Sequence, residues 1–360
     1  MTEVRSRIEH TARERSRSFH ILDVLRGLAA MAVITIHFQQ AFAPFIAKGA
    51  YLAVDLFFVM SGFVLSRAYD ERLRGGMGGA TFLGMRIIRL YPFYVLALLP
   101  GLIELAYFYR GEHLTGQVVL SGIFNLVMLP APPMGLPYDP LFPANFVAWS
   151  LAFELFANAI YGFGFRLLTA ARLQFLIGMS GVALLVVALI RGNLNGGAYW
   201  PDVHVAAVRV IFSFFLGVWI YRAREAGRLP ALRLPLALPI LVTILALGWP
   251  VPDAARGLFD AACVLAIFPL VTIAAVTPAP RQGGAASTFL GEISYPIYVF
   301  QIPVFTIAVM GLPKLLPGHS QVPAPWTGLL LLAALCGVSW FLTKSFDIPA
   351  RRRLSAALKA

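Results

Sequence analysis

An all-α polytopic membrane protein is predicted from three observations. Of the 360 residues, 59% are hydrophobic, only 13% are charged and the mean hydropathy is +0.77; a soluble domain would carry nearer a quarter charged residues. Apolar runs of about 20 residues recur from end to end, each long enough to cross a hydrocarbon core of roughly 30 Å. The basic residues cluster between those runs, as the positive-inside rule expects. The formal charge of +12 therefore points to membrane topology and a lipid bilayer partner, not to nucleic acid.

The runs place spans near 20–43, 50–69, 88–108, 146–166, 173–191, 203–221, 234–250, 257–277, 288–311 and 326–346. The expectation is a bundle of about ten transmembrane helices. A further apolar piece, Val118 to Leu129, runs into the breaker-rich "PAPPMGLPYDPLFP". Twelve helical residues rise about 18 Å, too little to cross, so this is expected to be one short interfacial or re-entrant segment. With the N-terminus in the cytoplasm, 23 Lys and Arg fall on the cytoplasmic side and five on the other, with Arg209 inside a span. Letting 118–129 cross would invert every later loop and spoil that bias. N- and C-termini are therefore predicted to be cytoplasmic, with a basic tail over 1–18, a membrane domain over 19–349 and a basic tail over 350–360. Met1 to Ser18 lacks an apolar core and a small-residue cleavage site, so no signal peptide is expected. Cys263 and Cys336 lie singly inside spans and read as packing, not as a metal site or a disulfide.

Ionisable side chains inside a bilayer are costly and mark sites or pathways. Counting along the predicted spans puts His37 roughly 25 Å up from the cytoplasmic edge, Asp55 roughly 8 Å and Glu154 roughly 12 Å down from the outer edge. The three are expected to converge on one outer layer, while Arg26, Arg86 and Arg89 fall at the cytoplasmic edge. Structural readings stand beside these. His37 would serve as an interhelical hydrogen bond, Glu154 as half of a buried pair, and Asp55 as a cap or a tyrosine holder. Arg86 and Arg89 read most cheaply as snorkelling anchors, although their i, i+3 spacing also suits a phosphate clamp.

These residues sit in an ordered set of motifs. "LDVLRGLAAMAVITIHF" holds Asp-x-x-Arg-Gly followed by His, "YLAVDLFFVMSGFVLS" follows, and "FLGMRIIRLYP" starts a helix with Arg-x-x-Arg. Later come "WSLAFELFANAIYG", "LGEISYPIYVFQIPV" and "FDIPARRRL". In this order, over about Phe19 to Leu354, the chain resembles the integral membrane acyltransferase 3 family of bacterial O-acyltransferases. The resemblance implies ten membrane helices in the bacterial inner membrane. It also implies transfer of an acyl group, often acetyl, from cytoplasmic acyl-CoA to a hydroxyl of a sugar or other acceptor. Acyl-CoA would be a co-substrate, no cofactor would be permanently bound, and the acceptor would be a carbohydrate or lipid-linked carbohydrate of the envelope. It further implies that His37 is catalytic and that Arg26, Arg86 and Arg89 act at the donor side. Asp23, Ser61, Ser294, Tyr295 and Gln301 are expected to line the site. One departure stands out: the late segment has Phe300 and Gln301 where a histidine is common.

Transfer from a thioester to a hydroxyl needs a base or nucleophile, which imidazole suits. Glu154 or Asp55 is expected to orient it, as the acid of a triad does. Guanidinium groups suit the donor's phosphates, with Asp23 fixing Arg26 and Gln301 free to donate to the acyl carbonyl. The alternative from another class is a proton-coupled secondary transporter using His37, Asp55 and Glu154; the lack of paired broken-helix repeats counts against it.

Overall fold

A computed structural model describes residues 19–108, 115–135, 138–230, 232, 234–235, 237–277, 284–308 and 323–357. The basic tail expected over 1–18 lies outside these residues, as do 309–311 of the ninth expected span and 358–360 of the C-terminal tail. The described chain is helical, and its one strand-like feature is an isolated bridge between Pro140 and Tyr199.

A helix occupies the place of every expected span. They are α1 (His20–His37), α2 (Ala53–Arg74), α3 (Gly79–Phe108), α5 (Ala148–Phe163), α6 (Ala170–Arg191), α7 (Val203–Glu225), α8 (Ala237–Gly248), α9 (Asp253–Ala275), α10 (Ala285–Thr306) and α11 (Trp326–Leu342). The extra segment is α4 (Thr115–Leu126), and α12 (Ile348–Ala357) closes the described chain. Seven stretches, built on α1, α2, α3, α6, α7, α9 and α11 with α12, are long and apolar enough to cross a membrane. The other three differ from expectation for local reasons. α5 ends after 16 residues at Gly164, α8 holds 12 residues between Pro235 and the Trp249–Pro250 step, and α10 has the length but carries Glu292, Gln301 and three tyrosines or serines in its middle. α4 has 12 residues, too few to span. Large apolar side chains stand exposed on α6 (Phe175, Val182, Leu189, Ile190) and on α3 and α11. Such a girdle fits lipid and would be unstable in water. The protein is a polytopic membrane protein.

The interior is built on two close helix pairs, α2 with α7 and α1 with α10. Without a hydrophobic drive between helices in lipid, close approach depends on small residues. A Cβ at Gly62 would collide with the Phe214 carbonyl, and one at Gly217 with the Val59 carbonyl. Each glycine thus receives the backbone of the opposite helix. α9 widens into a π turn at Cys263–Ile267 just before Pro269, and a second π turn, Thr343–Asp347, precedes Pro349 between α11 and α12. Proline removes one backbone donor and crowds the preceding turn, and a π turn is a way to absorb this without breaking the helix.

Candidate active site

His37 is the last residue of α1; the helix breaks at Phe38 and the chain continues as a single helical turn, Gln39–Phe42, before Pro44. The pairing of α1 with α10 sets its Nδ1 2.9 Å from Oε1 of Gln301. Gln301 is fully buried, and its Nε2 donates to the Tyr298 carbonyl at 2.8 Å. These two contacts fix the protons. A carbonyl only accepts, so the amide nitrogen faces Tyr298 and the amide oxygen faces His37. That oxygen also only accepts, so Nδ1 carries the hydrogen, and the neutral ring keeps its lone pair on Nε2. Phe146 makes an edge-on contact with the ring, centroids 6.0 Å apart.

Tyr298, three residues before Gln301 on α10, lines a cavity of about 330 Å³ bounded by α1, α2, α3, α5 and α10, whose lining includes neither His37 nor Gln301. Arg26, Arg86 and Arg89 stand in its wall with Ser61, Glu154, Ser294 and Tyr295. Glu154 accepts from Ser61 Oγ at 2.6 Å and from Arg86 Nη2 at 3.1 Å. The Nε of Arg86 is buried with no partner. Arg89 lies over the Tyr295 ring at 5.8 Å, and the Tyr295 hydroxyl is tied to the Leu90 carbonyl at 2.6 Å. The charges facing Arg89 are those of Arg351, Arg26, Arg86 and Asp347. Asp347 is itself ion-paired to Arg351 at 2.5 Å. Asp23 faces Arg26 and His20. Among the described residues, neither Arg26 nor Arg89 is ion-paired to a carboxylate. Ser294 spends its hydroxyl on the Gly291 carbonyl.

The expected convergence of His37, Asp55 and Glu154 is not what forms. Each takes a different partner: Gln301 for His37, Arg86 with Ser61 for Glu154, and Arg209 for Asp55. Arg209 reaches Asp55 at 2.6 Å through Nη2 and at 3.1 Å through Nε, with exposures of 1% and 0%. The same guanidinium donates to the carbonyls of Tyr51 and Gly196. Glu154 bonds Arg86, which counting along the spans puts at the opposite, cytoplasmic edge, so the count misplaces these two residues relative to each other. The orienting partner of His37 is a neutral amide, and Gln301 spends one of its two amide hydrogens on the Tyr298 carbonyl. Ser150 and Tyr298 were not singled out, although both lie inside the quoted motifs. They share a 2.8 Å hydrogen bond on the cavity wall and link the arginine chamber to the backbone that Gln301 grips.

A family model described as an acyltransferase domain matches residues 19–344. The chain belongs to this acyltransferase family. It is 26% identical to the exopolysaccharide production protein ExoZ of Rhizobium meliloti (strain 1021), over 85% of this chain and 92% of that protein. Over 47% of this chain it is 36% identical to protein 2 in the picA locus of Rhizobium radiobacter, of which 94% is covered. No solved structure matches the chain. Family membership makes this acyltransferase an enzyme, so the transporter alternative falls away.

Proposed function

We propose that this acyltransferase moves an acyl group, acetyl in the simplest case, from cytoplasmic acyl-CoA to a hydroxyl of an exported or cell-envelope carbohydrate. The observation that carries the reading is the arginine-walled cavity. Two of its guanidiniums lack an ion-paired carboxylate among the described residues, and its wall continues through Tyr298 to the Gln301–His37 pair. Arginines without a directly ion-paired carboxylate in a low-dielectric setting favour an anion. The donor's phosphates are anions that the planar guanidinium fork fits. With the phosphates held by Arg26, Arg86 and Arg89, the pantetheine arm extends the thioester toward His37.

There Nε2 of His37 takes the acceptor's hydroxyl proton as the oxygen attacks the thioester carbonyl. The C–S bond then breaks, and the imidazolium returns the proton to the leaving thiolate. The imidazolium lies in the last turn of α1, where orphan carbonyls favour positive charge. The loop-charge bias supports ten spans with both termini in the cytoplasm, which gives the donor the Arg26 end and the acceptor the His37 end. The name of the Rhizobium meliloti relative supports a polysaccharide acceptor. The test uses purified protein in nanodiscs, radiolabelled acetyl-CoA and de-O-acylated surface oligosaccharide. The expected result is alkali-labile label on the sugar together with stoichiometric free CoA. No CoA release above a protein-free control would overturn the proposal.

A further inference from the structure

We infer that a row of aromatic rings, Tyr138, Tyr199, Phe146 and then His37, is the track that binds the acceptor, and that it takes a saccharide by stacking sugar faces on the rings. The inference rests on the transfer reading above for the nature of the acceptor, but its geometry stands independently. Ring centroids are 5.9 Å apart from Tyr138 to Tyr199, 5.3 Å from Tyr199 to Phe146 and 6.0 Å from Phe146 to His37. The first two pairs are tilted by 59° and 51°. A face-to-face stack would hide both inner faces; a tilted row leaves part of each ring open to a guest. Exposure falls along the row, from 75% at Tyr138 to half-buried at Tyr199, Phe146 and His37. The track thus begins at the surface and ends on the imidazole.

The row is built, not incidental. The segments carrying Tyr138 and Tyr199 are bound to each other by the Pro140–Tyr199 bridge and by Leu141 N donating to the Ala198 carbonyl at 2.9 Å. Trp200 adds its backbone donor to the Asp139 carbonyl and its indole donor to the Ala131 carbonyl. Tyr138 has φ +69, a conformation that a bulky non-glycine residue adopts at a cost. The neighbouring turn is braced by Asp139, which accepts from the backbone of Met134 and Gly135. Folding gains little from straining a residue whose ring is left in solvent; presenting that ring to a ligand explains it. Tyrosine offers a sugar both an apolar face and a hydroxyl. The arginines suited to the donor stand elsewhere: Arg26 is eleven residues from His37 on α1, roughly 16 Å along the axis. The second substrate therefore has this separate approach.

The test titrates full-length protein in nanodiscs, without donor, with de-O-acylated oligosaccharide from the surface polysaccharide of the source cells. Binding is read by saturation-transfer difference NMR, and acetyl-CoA binding by calorimetry serves as the folding control. Wild type should bind the oligosaccharide. Tyr138→Ala and Tyr199→Ala should each weaken that binding about tenfold, or about 1.4 kcal/mol, with acetyl-CoA affinity unchanged, while Tyr138→Phe and Tyr199→Phe keep most of it. Absence of binding by wild type, or wild-type affinity in both alanine variants, overturns the track. Binding that follows the rings without any ester formed would leave the track standing and sink the transfer reaction instead.

Discussion

A histidine that is to accept a proton needs one ring nitrogen protonated and held, and the other open. Gln301 achieves this with uncharged atoms, because the Tyr298 carbonyl fixes the amide and the amide fixes Nδ1–H. Under the proposed mechanism His37→Gln keeps hydrogen bonding but cannot take a proton near neutral pH. It should cost roughly 10²–10⁴ in transfer rate, about 3–5 kcal/mol of barrier. Stopped assays on well-folded variant would check this, and wild-type transfer would remove His37 from the chemistry. Gln301→Leu removes the tautomer lock and should lower kcat on the order of tenfold to a hundredfold. Gln301→Glu keeps an acceptor at Nδ1 and should retain more activity; equal loss in both would mean that Gln301 serves packing alone. For the arginines, Arg89→Ala should raise the KM for acetyl-CoA with the acceptor KM unmoved, and Arg89→Lys should rescue only partly, since an ammonium cannot bind phosphate as a fork. An unchanged donor KM in Arg89→Ala would return this residue to membrane anchoring. His37 and Arg26 stood out in the sequence because an ionisable side chain within an apolar run is costly there. Gln301 was visible only as a departure, and its role needed the α1–α10 pairing to be known.

At the scale of helices, α2 and α7 are locked twice, by backbone contact at Gly62 and Gly217 and by the buried Asp55–Arg209 pair. Breaking a buried pair strands a charge in low dielectric, so Arg209→Met should cost about 3–5 kcal/mol. The double variant Arg209→Met with Asp55→Leu should recover much of that loss, because replacing both partners removes the stranded charge. Thermal unfolding in detergent, followed for both variants, measures the difference; a double variant no better than the single would show that Arg209 matters through its carbonyl contacts to Tyr51 and Gly196. Helix positions were readable from apolar runs, since hydrophobic length is set by the bilayer. Helix ends were less so. The expected 20–43 helix is interrupted at Phe38, between α1 and the turn Gln39–Phe42, and α8 is cut to 12 residues by flanking prolines and glycine. The Asp55–Arg209 pair was invisible, because the two residues are 154 positions apart and nothing in either local pattern names the other.

The molecule as a whole sorts its charges along one direction, and that sorting carries the proposed division of labour. Arg26, Arg86 and Arg89 gather at one end of the central cavity, with Arg351 of α12 brought against them by the π turn before Pro349. His37 and the aromatic row lie outside that cavity's lining, with His37 at the other end of α1 from Arg26. If the loop-charge bias sets the orientation, the arginine end faces acyl-CoA in the cytoplasm and the aromatic end faces the exported acceptor. Inverting the molecule would put the residues proposed to bind phosphate on the side where no CoA is present, so the proposed topology and mechanism stand together. In a background with Cys263 and Cys336 replaced by serine, single cysteines at Gly75 and Gly227 should react with membrane-impermeant maleimide only after the cytoplasmic membrane is opened. Single cysteines at Asn195 and Tyr138 should react in intact spheroplasts. All four sites are exposed, so access and not burial decides the result. Labelling of Asn195 and Gly75 from the same side would break the ten-span arrangement, since three spans separate them, and the route from cytoplasmic donor to external acceptor would be lost with it.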